Sequence, residues 1–316
     1  MKILVALPLN ERQKEKLEQN FRHQEFVYCL PEELTKETIS DVEVILGNVP
    51  QELLAYAGKL KWLQLNNAGT EGYCDGALPE EVLLTNATGA YGLAISEHMI
   101  GMLFELQKKL NLYAANQRAH IWKEEGNVRL IEGSRVLVIG LGDIGTAFAW
   151  KMKGLGCRTV GIKRREARKP EGVDDLFTLE RLEQQLPKAD IVALCLPGYE
   201  GTYHMLNEER IAMLKENAVV LNVGRGMTVD TEALTKALRE GRIAGACLDV
   251  TDPEPLPSEH PLWDMDNVIL TPHVSGRFSL PETLEKILNI CIENLECYLV
   301  KRPLRNVIDR KTGYRM

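Results

Sequence analysis

Short apolar runs alternate with helical patterns along most of this 316-residue chain, and no other feature narrows its fold so far. Strand-like runs are expected at Lys2–Leu7, Phe26–Leu30, Val42–Leu46, Trp62–Leu65 and Val82–Thr85. A second set is expected at Arg135–Ile139, Thr159–Ile162, Ile191–Leu196, Ala218–Val223, Gly245–Val250 and Val268–Leu270. Apolar strands joined by helices imply parallel sheets covered on both faces. Between the sets, Ile95, Met99, Met102, Leu103, Leu106 and Leu110 recur at three- and four-residue spacing, so Ile95–Gln117 reads as one long helix. Another helix is expected over Pro281–Tyr298, stopped by Pro303.

The length exceeds one ordinary core, because domains run to roughly 100–200 residues. If the last helix returns to the first strand set, residues 1–95 and 277–316 form one domain and residues 96–276 are inserted in it, with hinges near 95 and 281. Charged residues make up 26% and the net charge is -7, which leaves no basic excess for nucleic acid or an anionic membrane. No uncharged stretch approaches the ~20 residues of a membrane span. The opening Met1–Pro8 is too short for a signal peptide. The 7 cysteines are scattered without a C-x-x-C pair and read as reduced thiols, so a cytoplasmic protein is expected. His204 and His260 lack metal-ligand spacing, and no metal is expected. His98, on the first turn of the long helix, reads as structural or as part of a hinge.

Gly140-Leu141-Gly142-Asp143-Ile144-Gly145 follows the run Arg135–Ile139, and helical spacing resumes behind it at Ile144, Phe148 and Met152. Gly140 suits the tight turn, Gly142 lets amides approach a pyrophosphate, and Gly145 lets helix and strand pack closely. The helix N-terminus then faces the phosphates. A dinucleotide site is expected here. The next strand runs into Lys163-Arg164-Arg165 rather than a carboxylate. Cationic groups pair with a 2′-phosphate where an acid would repel it, so NADP is favoured over NAD.

Three later segments carry chemistry for a keto acid. Asn222-Val223-Gly224-Arg225-Gly226 closes a strand, and the Arg225 fork can clamp a carboxylate and polarise the adjacent carbonyl. Asp249-Val250-Thr251-Asp252-Pro253-Glu254 closes the next, and Thr271-Pro272-His273-Val274-Ser275-Gly276 the one after. A ketone that gains hydride becomes an alkoxide and needs a proton, which histidine supplies near neutral pH. Glu254 could orient the His273 imidazole and favour its charged form.

Taken together, these segments resemble the D-isomer-specific 2-hydroxyacid dehydrogenases over essentially the whole chain. The shared pieces are Gly140–Gly145, Leu196-Pro197…Thr202, Asn222–Gly226, Leu248–Pro255, Thr271–Gly276 and Asn306-Val307-Ile308-Asp309…Gly313-Tyr314. The resemblance implies a Rossmann dinucleotide-binding domain inserted into a flavodoxin-like substrate domain, with substrate in the cleft between them. It assigns Arg225 to the substrate carboxylate and carbonyl, His273 to acid/base work and Glu254 to its tuning. It further implies that Asp249 contacts the nicotinamide carboxamide. Cofactor contacts would also come from Cys195, Leu196, Pro197, Thr202, Val223, Gly224 and Gly276. Asn67-Ala68-Gly69 matches the turn that receives the substrate carboxylate, and Tyr91 would edge that pocket. A homodimer through the nucleotide domains is implied as well. Two departures stand out: Lys163-Arg164 where the family's NAD users carry an acid, and Pro197-Gly198-Tyr199-Glu200-Gly201-Thr202 in place of proline-leucine-threonine.

The reaction expected is reduction of a glyoxylate- or hydroxypyruvate-like keto acid to the (R)-2-hydroxy acid. A 3-phosphoglycerate dehydrogenase would want cations near Ala68, where the sequence has Asn66, Asn67 and Glu71. A non-catalytic dinucleotide sensor need not keep Arg225, Glu254 and His273 together, and this chain keeps all three.

Overall fold

A computed structural model of the chain describes every residue except Glu71, Asp75, Ala77, Phe278, Ser279, Lys311, Thr312 and Met316. Glu71, which counts against a phosphorylated substrate, thus lies outside the described residues. The chain separates into two compact units, Met1–Tyr91 with Phe278–Met316, and Gly92–Arg277. The division at 91/92 coincides with the start of helix Gly92–Gln107, a few residues before the expected boundary at 95/96.

The first unit holds five parallel strands: β1 Lys2–Val5, β2 Glu25–Tyr28, β3 Val44–Leu46, β4 Trp62–Gln64 and β5 Leu83–Thr85. Their order, β2-β1-β3-β4-β5, is the flavodoxin-like doubly wound arrangement. Ile3, Leu4, Val5, Ile45 and Leu63 are fully buried, as expected of strands with helices on both faces. Helix Glu11–Asn20 starts on a reciprocal cap between Asn10 and Gln13. Helix Pro281–Leu299 does return to this unit. Its Tyr298 ring stacks on Trp62 with centroids 5.3 Å apart, and its Glu285 accepts from Gln13 at 3.1 Å.

In the second unit seven parallel strands form one sheet: β6 Arg135–Ile139, β7 Arg158–Lys163, β8 Asp175–Thr178, β9 Ile191–Leu194, β10 Val219–Asn222, β11 Gly245–Leu248 and β12 Val268–Leu270. The order is β12-β11-β10-β9-β6-β7-β8, the Rossmann order with one strand added at an edge. The strand added to that order is β12; six strands were expected, and the unexpected one is β8, which takes the third-strand place of the Rossmann order. Among the described residues it pairs only with β7, and all four of its residues are half-buried, so it lacks the continuous apolar run that marks the other strands.

The long helix also differs from expectation. Gly92–Gln107 ends, Lys109 takes a left-handed φ of 57°, and a separate helix spans Leu110–Arg118. Ile95, Met99, Met102 and Leu103 are buried, but Leu110 is 50% exposed. The apolar face that would hold a continuous helix to the core stops there. No helix among the described residues is long and apolar enough to cross a membrane.

Register in the larger sheet decides where its loops emerge. Leu270, Leu248, Asn222, Leu194, Ile139 and Ile162 pair laterally in one row across β12, β11, β10, β9, β6 and β7. Every strand runs the same way, so the residues after this row emerge at a single edge. Ligands bind outside that carboxyl edge in open α/β sheets.

Candidate active site

His273 and Glu254 leave the row on neighbouring strands, β12 and β11. The imidazole Nδ1 lies 2.7 Å from Glu254 Oε1, and both side chains reach solvent, at 44% and 42% exposure. A carboxylate can only accept, so Nδ1 carries the hydrogen and Nε2 is the ring nitrogen left for proton exchange. Both residues line a cavity of about 570 Å³ whose apolar wall is Leu256, Trp263 and Leu270.

His273 has a left-handed φ of 50°, uncommon for a residue with a side chain. Asp249 holds the loop in that shape. Its side chain is 1% exposed, and it accepts from Thr271 Oγ1 at 2.6 Å, the Val274 amide at 3.0 Å, the Ser275 amide at 3.2 Å and the Ser275 hydroxyl. Its main-chain carbonyl accepts the His273 amide at 2.8 Å. A carboxylate so buried is tolerable because donors meet both oxygens.

Arg225 follows β10. Asn222 ties its turn: Oδ1 accepts from the Gly224 amide at 3.1 Å and Nδ2 donates to the Arg225 carbonyl at 3.0 Å. The Thr228 hydroxyl donates to that same carbonyl at 2.7 Å. The Gly226 backbone approaches Thr251 so closely that a Cβ would overlap the Thr251 carbonyl, which brings the arginine turn against the loop carrying Glu254. The strands that carry the arginine and histidine loops, β10 and β12, lie two strands apart in the sheet, roughly 10 Å, and the Arg225 guanidinium donates to the Gly224 carbonyl at 2.8 Å. A Cβ at Gly198 would lie 3.1 Å from Arg225 Cγ. Met227 Sδ would be nearer still, at 2.9 Å, so the space beside Gly198 is filled by these two flexible side chains.

Toward the other end of the row, Gly140 has φ +96°, and Gly145 packs so tightly that a Cβ would overlap the Gly140 carbonyl. Helix Asp143–Gly154 begins at Gly142 with no capping side chain. A side chain at Gly142 would meet no atom within 4 Å, so the first-turn amides are approachable. That arrangement fits a pyrophosphate. Asp143 instead turns its carboxylate to the Gly92 amide at 2.7 Å, and Ile144 is half-buried. Lys163 ends β7 half-buried, and Arg164 is exposed just beyond it. Cys195 follows β9, and burial pushes its thiol up, which keeps it protonated. Leu196 is half-buried, Pro197 is exposed, and the Thr202 hydroxyl donates to the Pro197 carbonyl at 2.7 Å. Val223 and Gly224 are buried in the arginine turn, and Gly276 lines the cavity.

In the first unit, the carbonyls along Asn66–Ala68 are held from behind. They accept from the Tyr91 hydroxyl, the Ala87 amide at 2.9 Å and Asn86 Nδ2 at 2.6 Å. Gly69 is half-buried at the end of this turn. Burial raises the Tyr91 phenol and keeps it a neutral donor.

Residues 100–275 match the family described as D-isomer specific 2-hydroxyacid dehydrogenase, NAD binding domain. The chain belongs to that family. This dehydrogenase is 31% identical to the glyoxylate reductase of Thermococcus onnurineus, over 99% of both chains. Among solved structures, it is similar to a D-isomer specific 2-hydroxyacid dehydrogenase family protein from Aeromonas salmonicida. The TM-score there is 0.87, with 28% identity over 98% of this chain and 99% of that one. A D-isomer specific 2-hydroxyacid dehydrogenase from Xanthobacter autotrophicus Py2, solved in complex with NADPH and MES, has a TM-score of 0.82 and 28% identity over 99% of both. The family makes the protein an oxidoreductase that uses a nicotinamide dinucleotide.

Sequence reasoning did not single out Asn222, Thr271 or Ser275 as builders of the dehydrogenase site. Their motifs were visible, but their partners were not. A polar residue at a strand end is ambiguous until the fold shows which donor or acceptor it meets.

Proposed function

We propose that this dehydrogenase reduces a small 2-keto acid of the glyoxylate or hydroxypyruvate kind to the (R)-2-hydroxy acid, with NADPH preferred to NADH. The observation that carries this reading is the 2.7 Å pair of His273 and Glu254 at the carboxyl edge that also carries Arg225. The nicotinamide, when bound, supplies hydride to the carbonyl carbon. Arg225 pairs its planar fork with the carboxylate and polarises the carbonyl. His273 donates its proton to the oxygen as charge develops there, while Glu254 keeps the ring oriented. Gly140–Gly145, Cys195–Pro197 with Thr202, Val223–Arg225, Asp249 and Gly276 hold the dinucleotide. Lys163 and Arg164 receive the 2′-phosphate. The glyoxylate reductase and the NADPH complex among its relatives support the substrate and the cofactor.

The test is oxidation of NADPH and NADH across a panel of 2-keto acids, with His273→Ala in parallel. Turnover is expected with short keto acids, and His273→Ala should lower kcat by about 10²–10⁴ while NADPH still binds. No turnover on any keto acid would remove the reading. In the same reading the protein works as a homodimer through the second unit, where Trp122, Leu130 and Ile121 are exposed. A monomer in sedimentation velocity at assay concentration would contradict that.

A further inference from the structure

His98 has no part in the proposed chemistry, yet its ring is linked to the loop that carries His273. It lies on helix Gly92–Gln107, which packs on β11 and β12. His98 Nε2 is 2.9 Å from Thr271 Oγ1, and Thr271 Oγ1 is 2.6 Å from Asp249 Oδ1. Asp249 binds the Val274 and Ser275 amides, and its main-chain carbonyl binds the His273 amide. Directions follow from chemistry. An ionised carboxylate only accepts, so the Thr271 hydroxyl gives its one hydrogen to Asp249 and must accept from His98. His98 Nε2 is then a donor. A chain of directed hydrogen bonds runs from a rigid helix, through a hydroxyl and a buried carboxylate, to the left-handed turn at His273.

We propose that His98 is a positioning residue for the proton donor. By donating to Thr271 it fixes the hydroxyl that fixes Asp249, and so holds the 271–275 turn with the His273 ring in place. This rests on His273 acting as the acid. The effect belongs mainly on kcat, because His98 is not itself a lining residue of the cavity and reaches it only through Thr271 and Asp249, which hold the His273 turn. Small displacements of a reacting group cost large factors in rate.

His98→Ala is expected to lower kcat about tenfold, with NADPH Kd by fluorescence titration and keto-acid KM within about twofold of the parent. His98→Gln, whose amide can donate to the same hydroxyl, should recover most of the loss. Adding Thr271→Val to His98→Ala should lower kcat no more than Thr271→Val alone, because the donor and its acceptor act as one unit. Unchanged kcat in His98→Ala overturns the proposal. So does an equal loss in His98→Gln, which would make the ring's bulk the relevant property, or independent losses in the double variant. If His98→Ala does not fold, Thr271→Ser and Thr271→Val decide: Ser should keep kcat and Val should lose it, and equal behaviour overturns the idea. A His273→Ala control separates the two readings. Turnover that survives it removes the acid itself, whereas an inactive His273→Ala beside a fully active His98→Ala removes only this inference.

Discussion

The two ends of the carboxyl edge of the seven-stranded sheet are built in opposite ways. At the β11–β12 end, the loop with His273 is tied to a carboxylate that is 1% exposed and that meets four donors. At the β7 end, the turn from Arg164 to Lys169 is exposed along its whole length. The contrast matches the two kinds of work proposed for these ends. Proton donation to one oxygen tolerates little positional error, so its loop is over-determined. Telling a phosphate from a hydroxyl is a matter of charge, and long cationic side chains can do that from a solvated turn.

The largest effect should come from breaking the rigid end. Asp249→Ala leaves the Thr271 and Ser275 hydroxyls and the Val274 and Ser275 amides without their acceptor. A buried donor left alone costs roughly 1–3 kcal/mol, and because the losses are not additive about 3 kcal/mol in total is a conservative expectation. For a unit of this size that lowers Tm by about 6–12 °C. Activity at permissive temperature should fall at least about hundredfold as the His273 turn relaxes. A parental melting curve and parental kcat would mean that the loop keeps its shape without Asp249, and the contrast between the two ends would collapse.

The same contrast explains what could be read without coordinates. β6, β9, β10 and β11 are buried along nearly their whole length and therefore show as continuous apolar runs, which made the row of strand ends legible. The glycine loop was legible because its demands are local: a turn at Gly140 and close packing at Gly145. β8 escaped because an edge strand with half-buried residues needs no apolar run. The break at Lys109 escaped because spacing alone does not say where burial ends. The Asp249 knot was out of reach for another reason. Its partners lie 22 to 26 positions away, and His98 lies 173 from Thr271, so only the completed sheet brings them together. Charge at the β7 turn, by contrast, is contiguous in sequence, from Lys163 to Arg165.

A smaller and more selective effect is expected at the exposed end. Lys163→Ala combined with Arg164→Ala should raise KM for NADPH by about 10–100-fold, since hydrogen bonds to charged groups contribute roughly 1.5–3 kcal/mol. KM for NADH should change less than about threefold, and kcat at saturating cofactor should stay close to the parent, because Lys163 ends β7, Arg164 follows it, and neither is part of the Asp249 loop. Equal losses with both cofactors would show that these two residues do not read the 2′-phosphate. A fall in kcat would show that the two ends are coupled rather than separate.

The smallest effect concerns how the β7 end is held without a buried knot. Asp174, just before β8, accepts from Lys153 Nζ at 2.7 Å and from the Thr159 amide at 2.9 Å. The Lys153 ammonium, with the Thr159 amide behind it, holds the carboxyl well below its usual range, down to about 2. A carboxyl depressed in the folded state stabilises above its unfolded pKa, near 3.9, and that contribution is lost as pH falls toward the folded value. Between about pH 4 and pH 2 the parent should therefore lose stability more steeply than Asp174→Asn, measured by urea unfolding at each pH. At neutral pH the variant should be weaker by no more than about 1 kcal/mol, as expected for a pair partly exposed to solvent. Parallel pH profiles for parent and variant would remove the Asp174 carboxyl as the tie at this edge, and the exposed turn would then rest on its strand pairing and on the Lys169 ammonium at the Asp174 carbonyl.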